Sequence, residues 1–151
     1  MKHPRWTRRL FSHEDLEAIA AAVHAAEQNT SGEIRVHLER RLPRAADVLA
    51  RAAHVFRHLK MDATAERNGV LLYLAVEDRK LAIFGDEGVH ARVGEGYWPR
   101  VRDDMVARLR AGTPREAIVH AVMDVGLVLQ KFFPRRPGDA NQLSDELSLG
   151  G

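Results

Sequence analysis

The chain is 151 residues long, carries a formal net charge of +2 and contains no cysteine. That length suits one domain able to bury most of its extended surface without a covalent staple. Disulfides, thiolate zinc sites and cysteine nucleophiles are excluded, and 23 basic side chains interleaved with 21 acidic ones argue against a nucleic-acid surface.

The opening stretch, Lys2-His3-Pro4-Arg5-Trp6-Thr7-Arg8-Arg9, reads as a flexible basic arm over residues 1–10. Thr7-Arg8-Arg9-Leu10-Phe11 looks like a twin-arginine signal, but the polar Ser12-His13-Glu14-Asp15 follows where an apolar stretch is needed. Ser12 and Asp15 form a capping box. Leu16, Ile19, Ala20, Val23 and Ala26 then recur at helical spacing to about Gln28. After the Asn29-Thr30-Ser31-Gly32 turn, Ile34, Val36 and Leu38 alternate with Glu33, Arg35 and His37, the pattern of a strand with one face more buried than the other.

A second helix is expected from about Ala45 to Leu59. Asn68-Gly69 breaks the chain before an apolar strand, Val70 to Val76, whose composition marks it as buried on both faces. Glu77-Asp78 turns it into a third strand, Lys80 to Phe84, so that the two read as a hairpin. A short helical piece over Val89–Val93 and a helix from about Trp98 to Ala111 follow. Thr113-Pro114-Arg115-Glu116 reads as N-cap, N1 and N3 of a last helix that Pro134 stops. Residues 11–133 are expected to form the domain, and residues 134–151 a disordered tail. The longest apolar run, Gly69 to Val76, is far short of the roughly 20 residues of a spanning helix, so no membrane insertion is expected. The order α-β-α-β-β-α-α, with a parallel crossover between the first two strands, predicts a three-layer α/β/α sandwich around a small mixed sheet containing a β-hairpin, with about four main helices.

Three segments carry a family resemblance: Ser31-Gly32-Glu33-Ile34-Arg35-Val36, Arg67-Asn68-Gly69-Val70-Leu71-Leu72, and Asp78 through Gly88. Together they resemble the TPM domain family, known from a thylakoid-lumen protein, a photosystem repair protein and a receptor auxiliary subunit. The resemblance implies an α/β/α sandwich. Because the named relatives support the repair, assembly or upkeep of other proteins, it also implies a protein-binding or chaperone-like module whose partners are client proteins. Without the membrane segment common in relatives, the chain reads as a stand-alone soluble version, expected in the cytoplasm.

The same topology gathers Gly32-Glu33, Arg67-Asn68 and Asp86-Glu87 at the sheet end opposite the Glu77-Asp78 turn. The carboxylates of Glu33, Asp86 and Glu87 with the Asn68 amide suit calcium or another divalent cation, which takes about six to eight oxygens; the family's reported metal binding implies the same, and no organic cofactor is expected. The competing reading is that these acids cap the next helix and pair with Arg67 or Arg92. Acid phosphatase activity attributed to plant relatives implies an alternative function, a metal-dependent phosphatase acting on phosphomonoesters, with Arg67 as phosphate contact. No Gly-x-Ser-x-Gly elbow, Walker loop or HExxH motif is present. His54 and His58, four apart on the second helix, lack an evident third ligand and read as solvated, and the row Glu33, Arg35, His37 reads as a groove lining or as the open face of an edge strand. Tyr97-Trp98 reads as core at a helix start.

Overall fold

In a computed structural model, residues 4–135 and 147–150 are described. Among these residues, five α-helices and four strands alternate with two short 3-10 turns: α1 His13–Glu27, β1 Glu33–Glu39, α2 Val48–His58, β2 Gly69–Ala75, β3 Lys80–Gly85, α3 Glu87–Val93, α4 Tyr97–Arg110, α5 Pro114–Phe132 and β4 Ser148–Gly150. The sheet order is β3-β2-β1-β4. β1 runs parallel to both β2 and β4, and β2 and β3 form the antiparallel hairpin. The expected α/β sandwich on a small mixed sheet is what the chain forms, with the short helix α3 added to four longer ones.

Local chemistry explains where the elements start. The hydroxyl of Ser12 accepts from the N–H of Asp15 and the Asp15 carboxylate accepts from that of Ser12, a complete capping box for α1. α2 begins at Val48, later than the spacing suggested. Ala45 lies in the left-handed region at φ 61°, so the helix waits for the Asp47 side chain to cap it. α3 begins earlier than expected because Asp86 caps Glu87. Pro114 does stand at the first turn of α5, but Thr113 makes no side-chain cap; its hydroxyl donates to the Arg108 carbonyl and closes the α4–α5 turn.

The two sheet faces are unequally covered. Ile34, Val36, Leu38, Val70, Leu72, Leu74, Leu81 and Ile83 pack under α1, α3, α4 and α5. The opposite face, Leu71, Tyr73, Ala75 and Ala82, is covered by α2 alone, through Ala52, Val55 and Phe56 with Met61. Those eleven residues of α2 span about 16 Å, enough to shelter β2 and β3 but not the whole outer face of β1. α1 and α5 meet closely: a methyl on Gly126 would stand 2.8 Å from the Ala26 methyl.

The ends of the chain are more structured than their composition suggests. Arg5–Arg9 form a 3-10 turn within the stretch expected to be a flexible arm, and Thr7 is fully buried. Ser148–Gly150 of the expected disordered tail form β4; residues 136–146 lie outside the described residues. The tail's composition is polar, but a parallel strand beside β1 needs only backbone groups and a small partner for His37, which Ser148 supplies.

Candidate functional site

The sheet end foreseen from topology assembles as expected, and arginine takes the acids. Asp86 accepts two hydrogen bonds from Arg67, Nε to Oδ2 at 2.7 Å and Nη2 to Oδ1 at 2.9 Å, and its Oδ1 also accepts from the N–H of Glu87. Arg67 reaches Glu87 at 3.4 Å. The hydrogen bond to Asp86 raises the Arg67 pKa above its ordinary value. A guanidinium therefore stands where a cation shared by Asp86 and Glu87 would stand, and these two residues as arranged do not fit a metal. Glu33 lies at the start of β1, buried, with its N–H donating to the Asn68 carbonyl at 3.4 Å. Asn68 is fully buried; its amide nitrogen donates to Ser31 Oγ at 3.3 Å and lies 3.5 Å from Glu66, while Oδ1 has no hydrogen-bond partner. Among the described residues, no three His, Asp or Glu side chains are grouped to hold a metal ion. Gly88 is required here by close approach, since a methyl would stand 2.1 Å from the Glu66 carbonyl oxygen.

A second polar cluster lies under the β1–β4 edge, and the sequence reading missed it. Parallel register places His37 beside Tyr73 and, on its other side, Ser148. The Glu39 carboxylate accepts two bonds from Arg51, at 2.9 and 2.8 Å, and one from the Tyr73 hydroxyl at 2.7 Å. His37 Nδ1 lies 2.8 Å from Ser148 Oγ, and Nε2 lies 3.6 Å from Glu39. Burial pushes the His37 imidazole below its ordinary value despite the nearby carboxylate. Burial works to raise Glu39, but the hydrogen bonds from Arg51 and Tyr73 prevail and hold it below the usual carboxylate range. Burial and the bond to Glu39 push the Tyr73 hydroxyl up. The cluster is internally satisfied, which is how a buried charge is tolerated. A 410 Å³ cavity outside it is also lined by the exposed His54 and His58, whose rings stack 6.4 Å apart. One signal was readable: a tyrosine in a strand buried on both faces needs a partner for its hydroxyl.

An apolar groove runs along the edge of β3. A cavity of 580 Å³ is lined by Leu10, Val48, Leu81, Val106 and Leu109 among others, and a smaller one of 190 Å³ continues past Leu49, Ile83, Trp98 and Pro99. Val48, Leu81 and Arg102 line both, so the two are segments of one trough. Its walls are the first turn of α2 and the exposed side of α4; its floor is β3. Trp98 lies flat over Gly85, where any β-carbon would fall 2.2 Å from the indole, and its Nε1 donates to His90 Nδ1 at 3.0 Å. Tyr97-Trp98, expected as core, is half-buried, with Trp98 on this wall. Arg79, Lys80, Arg102 and Arg110 rim the groove, against Asp103 as its one lining acid.

A three-layer α/β domain with its helices divided unequally over a β3-β2-β1-β4 sheet, and an asparagine-glycine strand entering a basic hairpin, is the class the fold defines. The sequence pattern of the TPM domain matches residues 7–128, and the chain belongs to that family. Among solved structures it is similar to the BA42 protein from the psychrophilic bacterium Bizionia argentinensis, at 39% identity and a TM-score of 0.84, over 93% of this chain and 95% of that one. It shares the fold of the N-terminal domain of a P. gingivalis protein, at 22% identity and a TM-score of 0.64, over 81% and 78% of the two chains. No curated protein matches the chain. No helix among the described residues is long and apolar enough to cross a membrane.

Proposed function

We propose that this domain is a protein-binding module, and that partner or client polypeptides dock in the groove between α2 and α4 along β3. The observation that supports this reading is the 580 Å³ trough, whose volume falls in the range of genuine binding clefts. Leu49, at its mouth, is 52% exposed and offers an apolar side chain to a partner. Specificity in such a site comes from a few polar groups around an apolar floor, which the arginines supply. The test is an NMR titration of the labelled protein with a permanently unfolded client polypeptide. Amides of β3, of the first turn of α2 and of α4 should shift, and Leu49→Glu should weaken the response about tenfold by placing a charge in the apolar mouth. A client that binds without touching the groove overturns the reading. So does metal-dependent hydrolysis of an aryl phosphate that is lost in Asp86→Ala, which would move the function to phosphoryl transfer at the opposite end of the sheet.

Calcium binding is a second reading, favoured by one atom: Oδ1 of Asn68, buried and without a partner. An amide oxygen of that kind suits a hard cation. Binding at Asp86 and Glu87 would require Arg67, whose side chain is 42% exposed, to swing away. Arg67→Ala should therefore strengthen calcium-induced shifts at the Asn68, Asp86 and Glu87 amides. Unchanged spectra in both wild type and variant at millimolar calcium would end this reading.

A further inference from the structure

Resting on the protein-binding reading of the β3 groove, the geometry points to its mode and its ligand: we infer that the groove takes an extended, acidic peptide segment that adds to the sheet as a fifth strand beside β3.

The backbone supplies the first reason. In the order β3-β2-β1-β4, β3 has a neighbour on one side only among the described residues. The N–H of Asp86 donates to the Gly69 carbonyl at 2.9 Å. In an antiparallel ladder, hydrogen-bonded and non-hydrogen-bonded pairs alternate, so with the register Leu71↔Phe84, Tyr73↔Ala82 and Ala75↔Lys80 it is Lys80, Ala82 and Phe84 that bond to β2. Leu81, Ile83 and Gly85 then aim their N–H and C=O groups away from β2, on the side of the groove that Leu81 and Ile83 line. These are the groups an added strand would pair with.

The edge is protected from its sides more than by its own sequence. Natural free edges are blunted by inward charges, proline or bulges. Here Lys80 opens the strand, and Leu81-Ala82-Ile83-Phe84 follow without a charge or proline. What shields them is side walls: Val48 and Leu49 from α2 on one side, Trp98, Val106 and Leu109 from α4 on the other. An added strand alternates its side chains between the two walls, so apolar residues at successive positions find apolar contact on both. β3 is six residues long, so the site matches about six residues of partner, roughly 20 Å of extended chain.

Charge selects the occupant. Arg79, Lys80, Arg102 and Arg110 stand around the trough with Asp103 alone opposing them. Arg102 also reaches Asp103 only at 3.5 Å, and Arg79 and Lys80 sit at the hairpin mouth where an added strand would end. Glutamates flanking the apolar stretch of a partner complement this rim. The same rim disfavours a second copy of this chain pairing through its own β3, since two cationic edges would meet.

The test uses the full chain, isotope-labelled, and three synthetic ten-residue peptides. The parent carries six successive apolar residues flanked by two glutamates at each end. Two derivatives carry N-methyl groups on one or the other alternate set of backbone nitrogens, removing donors from one edge of the peptide strand at a time. The expected result is binding by the parent with shifts at Leu81, Ile83 and Gly85 and slowed exchange of those amides. One methylated derivative should lose binding by more than about tenfold and the other should keep it, because only one edge of the added strand faces β3. Exchanging glutamate for lysine should weaken binding about tenfold at low salt, an effect that fades as salt rises. Leu49→Glu, exposed and outside the core, provides the loss-of-binding variant. Equal tolerance or equal loss for the two methylated peptides overturns strand addition. A dimer in solution that Leu49→Glu dissociates overturns the peptide as occupant. If unfolded clients shift the groove while the methylation pattern is absent, this inference fails and the protein-binding reading stands; if neither clients nor peptides shift the groove, both fail.

Discussion

The two edges of the sheet solve opposite problems. At the β1–β4 edge a carboxylate, a guanidinium, a phenol and an imidazole are packed under a three-residue strand, and every strong bond of Glu39 is made within the chain. At the β3 edge the floor is apolar, flanked by α2 and α4, and cations stand around it. The closed edge resembles a site because its pKa values are displaced, yet structural ion-pair networks displace them equally. The β3 edge instead carries a cavity of 580 Å³. The difference teaches that in this fold displaced pKa values mark a network that holds the sheet together.

Breaking the closed edge should give the largest effect. Glu39→Ala strands Arg51 and the Tyr73 hydroxyl, and because Arg51 is a quarter exposed the cost should be about 3 kcal/mol rather than the upper end for a buried pair. A urea titration measures it, and a loss below about 0.5 kcal/mol would show that the network is ornamental. Tyr73→Phe removes one hydrogen bond to a charged acceptor while leaving the packing, and should cost roughly 1.5 kcal/mol, visible as a lower melting temperature. Neither change should alter peptide binding at β3.

The pH dependence is smaller and its sign follows from burial. His37 titrates lower in the folded than in the unfolded chain, so as pH falls below 6.5 the unfolded chain takes up a proton that the folded one refuses, and stability declines. His37→Gln should flatten that part of the stability profile, and an unchanged slope between pH 7 and 5 would refute the assignment. Glu39, held low, adds stability above its ordinary value of 4.5 that is lost as pH falls through its folded value, so the variant should keep a decline at the acid end. The smallest stability effect is expected at the open edge: Leu49→Glu should fall within about 0.5 kcal/mol of wild type while reducing partner binding. A matching loss of stability would mean that Leu49 belongs to the core after all.

Much of the fold was legible because its signals are local. Ser12 with Asp15, the Val70–Val76 run and the Glu77-Asp78 turn each act within a few residues, and the parallel β1–β2 crossover follows from general handedness rules. Placing Glu33, Asn68, Asp86 and Glu87 at one sheet end needed only that topology. Their partnership with Arg67 was weighed from composition, but the bidentate geometry depends on the left-handed turn at Arg67, φ 51°, which no short-range pattern announces. Glu39, Arg51, Tyr73 and Ser148 come from three strands and a helix, so their cluster exists only after the sheet has formed. The β3 groove was illegible for another reason: its walls are α2 and α4, whose facing sides read in sequence as ordinary amphipathic edges.

One contact joins chain regions that are synthesised far apart. The Thr30 hydroxyl and the Ser31 N–H both bond to the Phe133 carbonyl, and Thr30 bridges Pro134, so the turn between α1 and β1 is fixed by the end of α5. In a nascent chain this contact forms only once α5 has left the ribosomal tunnel. Until then the inward side of α1, Leu16, Ile19 and Val23, has no complete counterpart.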